Sequence, residues 1–311
     1  MKQCLRTVSG KHLAALGFKD KRIIALEADL KESTQSVNFE SAHPERYFQL
    51  GIAEQNMVGV AAGFALAGKI PFVHSFSSFI SMRACEQVRT SVCYPRLNVK
   101  FLVSHGGIST GTAGTTHHAI EDIAIMRAIP NMTVLVPGDA REACLAIEAA
   151  VAYNGPVYIR LVAQEAEDVY KPEDKFEIGK ATRIFEGDDI TIITTGTMLA
   201  QGYSAAITLA EKHKIRARLL QMASIKPIDR EAVAAACQQT RLLITVEEHN
   251  VLGGLGGAVS EIVSGISTSA RLVRLGINDH FCDVGSAACL LEKEGLTGNN
   301  IVKVALKELS Q

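Results

Sequence analysis

The chain has 311 residues, of which 47% are hydrophobic and 21% charged, with a net charge of -1. That length allows a sizeable core and two domains of roughly 100–200 residues each, and the charge gives no electrostatic case for nucleic acid or an anionic membrane. No run reaches the ~18 apolar residues of a membrane span, and the N-terminus lacks the continuous apolar stretch of a secretory signal. The seven cysteines are scattered and form no CxxC pair, which fits free thiols in a reducing cytoplasm and speaks against a disulfide framework or a zinc site.

In chain order, KRIIALEADL reads as a strand running into a polar loop, and AEQNMVGVAAGFALAG as a helix rich in Gly and Ala. IPFVHSF follows as a short strand, RACEQVRTSVCY as an amphipathic helix and LNVKFLVSH as a strand. TTHHAIEDIAIMRAI begins a helix, MTVLVPGD is a strand, DAREACLAIEAAVAY a helix and GPVYIRLV a strand. Strands alternating with helices predict an α/β fold with a mainly parallel sheet flanked by helices. Residues 163–182 are charged, contain Pro172 and lack apolar periodicity, so they read as a surface linker. The α/β pattern then restarts, predicting a first domain over 1–162 and a second over 183–311.

In such folds ligands sit at the carboxyl ends of the strands. Four segments end there in polar residues: EADLKEST (27–34), GIAEQNM (51–57), VHSFSSF (73–79) and SHGGISTGTAGTTHH (104–118). The second holds Glu54 in a long run of small and apolar residues, where an unpaired carboxylate is costly. Either a partner compensates it, it serves the first turn of the helix, or burial raises its pKa. The fourth carries His105, His117 and His118 among Gly, Ser and Thr. It suits proton transfer near neutral pH and equally a flexible loop with a capping histidine.

The order of these segments resembles the C-terminal half of transketolase, that is, its pyrimidine-binding and C-terminal domains, over nearly all of the chain. The resemblance implies thiamine diphosphate as cofactor. It implies that Glu54 hydrogen-bonds the aminopyrimidine N1′ and favours the imino tautomer that takes a proton from the thiazolium carbon. It places Phe76 and Phe79 on the aminopyrimidine, Asp29 near the cofactor, and His105 and His117 on substrate hydroxyls as proton carriers. It makes Arg6, Ser33 and Arg160 the ligands of a sugar phosphate, a task suited to the planar fork of arginine. Met82 stands at the family's next aromatic position, and His118 where glutamine is commoner.

Two departures stand out. The family usually reads GEDG where this chain reads GTAG at 111–114, so Ala113 replaces an aspartate that binds a substrate hydroxyl, and a branched or modified ketose phosphate becomes a live donor. No GDG followed by asparagine is found at the spacing of the diphosphate and magnesium motif. The resemblance therefore implies that a separate N-terminal subunit supplies the diphosphate domain and the Mg2+ ligands, in a heterotetramer, with no metal held by this chain. VEEHNVLGGLGGAVSE (246–261) only superficially looks like a dinucleotide signature and reads as a glycine turn before a packed helix. The competing readings are the beta chain of a 2-oxo-acid dehydrogenase and a non-catalytic assembly or regulatory subunit.

Overall fold

The computed structural model describes residues 2–310 and contains two mainly parallel sheets flanked by helices. The first sheet has seven strands. In spatial order they are Ser224–Lys226, Thr133–Leu135, Val157–Arg160, Lys100–Ser104, Ile70–Phe76, Ile23–Glu27 and Tyr47–Gln49. Its central members are parallel and buried along their whole length. A parallel strand covered on both faces needs a continuous rather than alternating apolar run, and IIALE, IPFVHSF and KFLVS supply it. One face is covered by helices Leu5–Lys19 and Ala140–Ala152 through Leu5, Leu13, Ala143 and Ile147.

The other face packs against helix Glu54–Leu66, and its core does not stop at the domain edge. Met57, Val58, Val73, Phe101 and Val134 share one apolar cluster with Leu220, Met222, Val233, Val259 and Ile262 of the second half. The second sheet has the order Arg271–Ile277, Leu242–Asn250, Ile190–Thr194, Ala217–Gln221 and Thr182–Phe185, with only the last strand antiparallel. Helices Met198–His213 and Gly298–Leu309 lie against it in a cluster of their own. No helix among the described residues is long and apolar enough to cross a membrane.

The two halves are tied more closely than an alternation of strands and helices suggests. Strand Ser224–Lys226 leaves the second half and pairs antiparallel with Thr133–Leu135, closing the edge of the first sheet. Lys226 Nζ donates to the Arg127 and Ile129 carbonyls at 2.8 and 2.6 Å. The expected linker is also not featureless. Glu165–Glu167 pairs with Lys2–Cys4, and the Asp139 carboxylate accepts from the Val169 and Tyr170 amides at 2.9 and 2.7 Å.

Two further expectations change. RACEQVRTSVCY is not one amphipathic helix. A π-helical turn over Phe79–Arg83, a short α turn over Cys85–Gln87 and a second π segment over Val88–Cys93 replace it. The helix expected from the TTHH stretch starts only at Asp122, which leaves both histidines of that stretch in the loop before it.

Glu142 marks the seam. It is fully buried and accepts from the Gly138 amide at 2.6 Å, from Gln221 Nε2 of the second half at 2.9 Å and from the Tyr170 hydroxyl. Burial nonetheless pushes its carboxyl up to about 7 against those three donors. The unfolded value is roughly 4.3, so the stability this shift contributes is complete below that pH and is lost as pH rises through about 7. Comparison of urea midpoints for wild type and Glu142→Gln should therefore move in the variant's favour between pH 5 and pH 8. Parallel profiles would contradict the shift.

Candidate active site

The first sheet delivers the candidate residues at the carboxyl ends of adjacent strands. Strand Ile23–Glu27 runs into the loop carrying Asp29 and Ser33. That loop is organised by the buried Glu27 carboxylate, which accepts from the Ala28 and Leu30 amides at 2.9 and 3.2 Å and from Thr34 Oγ1 at 2.7 Å. Asp29 is exposed, has a left-handed backbone with φ 62° and donates its amide to Gln49 Oε1 at 2.8 Å.

Strand Ile70–Phe76 ends in the aromatic pair. Phe76 and Phe79 stack with centroids 5.5 Å apart and an interplanar angle of 23°. The His105 ring lies 3.8 Å from that of Phe76, and the His117 ring meets Phe76 and Phe79 edge-on at 5.9 and 5.6 Å. Four residues expected in one site, drawn from two loops, are thus in ring contact.

Glu54 opens helix Glu54–Leu66 and is 1% exposed. An acid in the first turn meets the positive end of the helix, but its principal partner is Arg83. Arg83 Nη1 lies 2.8 Å from both carboxylate oxygens, and the guanidinium carbon sits 4.5 Å above the centre of the Phe79 ring. Sequence reading did not find Arg83. The signal available was only its position four residues after Phe79, in a segment otherwise read as amphipathic. A flat, donating, cationic group thus lies against both the carboxylate and the ring. A carboxyl beside an aromatic face is also the chemistry that fits an aminopyrimidine, which is flat, offers a ring nitrogen to a carboxyl and stacks on an aromatic face.

His105 follows strand Lys100–Ser104 in a left-handed conformation, φ 62°. Such backbone costs of order 1–3 kcal/mol and persists only where the surroundings hold it. Ser104 Oγ lies 2.8 Å from its Nδ1. Burial, with the nearby Arg6 and His117, pushes the imidazole down to about 3, so His105 is neutral at pH 7. His117 is half-buried with Nδ1 2.9 Å from Thr116 Oγ1. His118 turns inward onto the Gly111 carbonyl at 3.2 Å, and Ala113 is exposed on a short turn over Gly111–Ala113.

The three expected phosphate ligands do not stay together. Arg6 Nη1 donates to the Ser33 carbonyl and Nη2 to the Ala163 carbonyl at 2.8 Å, so Arg6 and Ser33 are neighbours. Arg160 is a correction. Its side chain is 2% exposed. Nε donates to Asp122 Oδ2 at 2.9 Å, and Nη2 donates to the Ala119 and Glu248 carbonyls, both at 3.0 Å. A guanidinium enclosed this way has no face for a sugar phosphate.

What Arg160 does instead is hold the histidine loop. A Cβ on Gly106 would lie 2.5 Å from Arg160 Nε, so only glycine lets the loop pass. Gly107, at φ 76°, is pressed against the Glu248 carboxylate. Glu248 Oε1 accepts from the Ile108 and Ser109 amides at 2.8 and 2.7 Å. His249 Nε2 accepts from the Ala124 amide at 3.3 Å. The neighbouring Glu247 accepts from the Leu255 and Gly256 amides at 2.7 and 2.8 Å. Its carboxylate therefore fills the helix N-terminus of the GGLGG stretch where a phosphate would have to bind. In the second half, the ligating atoms of His280, Cys282 and Glu294 come within 4.8 Å of one another, a group the sequence did not single out.

Comparison with known proteins agrees with this layout. Residues 2–167 match the family model described as transketolase, pyrimidine binding domain, and residues 179–301 that described as transketolase, C-terminal domain. The chain is 44% identical over 287 residues to the 6-deoxy-6-sulfo-D-fructose transketolase subunit SqwH of Clostridium sp. (strain MSTE9), covering 92% of this chain and 88% of that one. It is 38% identical over 296 residues to an apulose-4-phosphate transketolase subunit of Phocaeicola vulgatus, covering 95% and 94%. A solved structure described as a split gene transketolase, inactive beta4 tetramer, superposes with a TM-score of 0.89 at 43% identity and covers 98% of both chains. The chain belongs to the transketolase family and consists of its pyrimidine-binding and C-terminal domains.

Removing one member of a buried ion pair leaves an uncompensated charge and costs about 3–5 kcal/mol. Arg160→Met should lose that much in urea unfolding, and adding Asp122→Asn should recover part of it. An Arg160→Met protein as stable as wild type would contradict the enclosed pair.

Proposed function

We propose that this chain is the pyrimidine-domain half of a two-subunit, thiamine-diphosphate-dependent transketolase that moves a two-carbon ketol unit from a ketose phosphate to an aldose. The observation that carries this reading is the buried Glu54 carboxylate and the Phe79 ring, both in contact with the one Arg83 guanidinium and so close neighbours. When bound, thiamine diphosphate supplies the nucleophilic carbon and the electron sink for breaking the C–C bond.

The chain's own residues do the rest. Glu54 holds a proton between its carboxyl and the ring nitrogen, and Phe76 and Phe79 wall the ring. His105, neutral at working pH, hydrogen-bonds a substrate hydroxyl through its imidazole. His117, at the edges of both phenylalanines, handles a second hydroxyl. Asp29 lies near the cofactor. With Arg160 withdrawn, Arg6 and Ser33 remain for the substrate phosphate. The relative named as an apulose-4-phosphate transketolase subunit supports a sugar-phosphate substrate, and it and the relative named for 6-deoxy-6-sulfo-D-fructose, which bears a sulfonate in place of a phosphate, favour ketol transfer over a 2-oxo-acid dehydrogenase beta chain.

The diphosphate and Mg2+ fall to a partner subunit carrying the N-terminal domain, two copies of each chain forming a heterotetramer in the cytoplasm. The relative described as an inactive beta4 tetramer supports the need for that partner.

The complex should consume a ketose phosphate only when an aldehyde acceptor is present, and Glu54→Gln should lower kcat by about 100-fold or more. Consumption of a 2-oxo acid instead would overturn the reading. Ala113→Asp should raise kcat/KM for xylulose 5-phosphate relative to the native donor, and an unchanged ratio would remove position 113 from donor selection.

A further inference from the structure

Arg83 has no part in the chemistry just described, yet it contacts both the carboxylate and the ring on which that chemistry rests. Its guanidinium contacts both oxygens of Glu54 and covers the face of Phe79. A second flat group stacked on the Phe79 face that Arg83 covers, and bonded to the same carboxylate, would compete with the guanidinium for both contacts. The two partners also differ in freedom. Glu54 is 1% exposed and held in the first turn of its helix, whereas the Arg83 side chain is 48% exposed and ends a π-helical turn. Single π turns are found mostly at functional sites. Of the pair, only Arg83 can leave.

We propose that Arg83 is a stand-in for the aminopyrimidine: in the free chain it neutralises Glu54 and covers Phe79, and it must swing out before the cofactor ring can bind. This rests on the thiamine reading of the site. It explains how a chain without its partner keeps a buried carboxylate at little cost, since an unpaired one would be expensive. It also makes cofactor affinity depend on a competition inside this chain. If the paired arrangement is favoured about tenfold, the apparent Kd rises about tenfold. Arg83 is a gating residue and not a catalytic one.

The test uses the two-chain complex, purified with the subunit that carries the diphosphate domain, and calorimetric titration with thiamine diphosphate and Mg2+. Arg83→Gln should bind about tenfold more tightly than wild type. In the free chain the same variant should melt lower, and the Glu54→Gln/Arg83→Gln double variant should recover the loss, because the buried charge is gone. Should Arg83→Gln fail to fold, Arg83→Lys keeps the charge without the flat face and should tighten binding several-fold. Equal or weaker binding by the variants, with wild type binding normally, overturns the proposal and leaves the thiamine reading standing. Failure of every complex to bind sinks that reading and this proposal with it.

Discussion

The guanidinium of Arg160 sits at the point where the two halves of the chain meet, and the geometry of the site depends on it. It holds Asp122 just past the histidine loop, the Ala119 carbonyl at the loop's end and the Glu248 backbone of the second sheet. Glu248 in turn grips the loop by two amides. An ion pair this deep contributes little net stability over an apolar filling, but losing half of it is expensive. Its value here is positional. The loop from His105 to His118 has few apolar side chains of its own, and the buried charges fix where it lies against Phe76 and Phe79.

On that support stands the candidate site. A carboxylate, a pair of rings and two histidines converge at the carboxyl ends of neighbouring parallel strands, as open α/β sheets arrange ligands. The Arg83 guanidinium closes the charge balance of Glu54. The apolar cluster shared by the two domains makes them one mechanical unit, and the second half reaches the histidine loop and the helix after it through Glu248 and His249.

Much of this was legible in the sequence because buried parallel strands write themselves as unbroken apolar runs. IIALE, IPFVHSF and KFLVS lie in the strands those runs predict. Their polar ends marked the candidate site, and the pattern GIAEQNM with FSSF and the two histidines pointed to the family. What the sequence hid was pairing at a distance. An arginine at a strand end looks the same whether it awaits a phosphate or is locked to an aspartate 38 positions earlier, so Arg160 was misread. Arg83 stayed invisible for a related reason: a cation 29 positions after Glu54 shows no bond to it until the helix and the π turn are placed. The short strand Ser224–Lys226 was not singled out, because nothing local says that it joins the other sheet.

The most direct test of the account is thiamine diphosphate binding, followed by calorimetry with magnesium, first to this chain alone and then to its complex with a diphosphate-domain subunit. Binding that appears only in the complex, and is lost with Glu54→Gln, is the predicted result. Tight, magnesium-dependent binding by this chain alone, or binding by the complex that is indifferent to Glu54, would contradict a split site completed by Glu54.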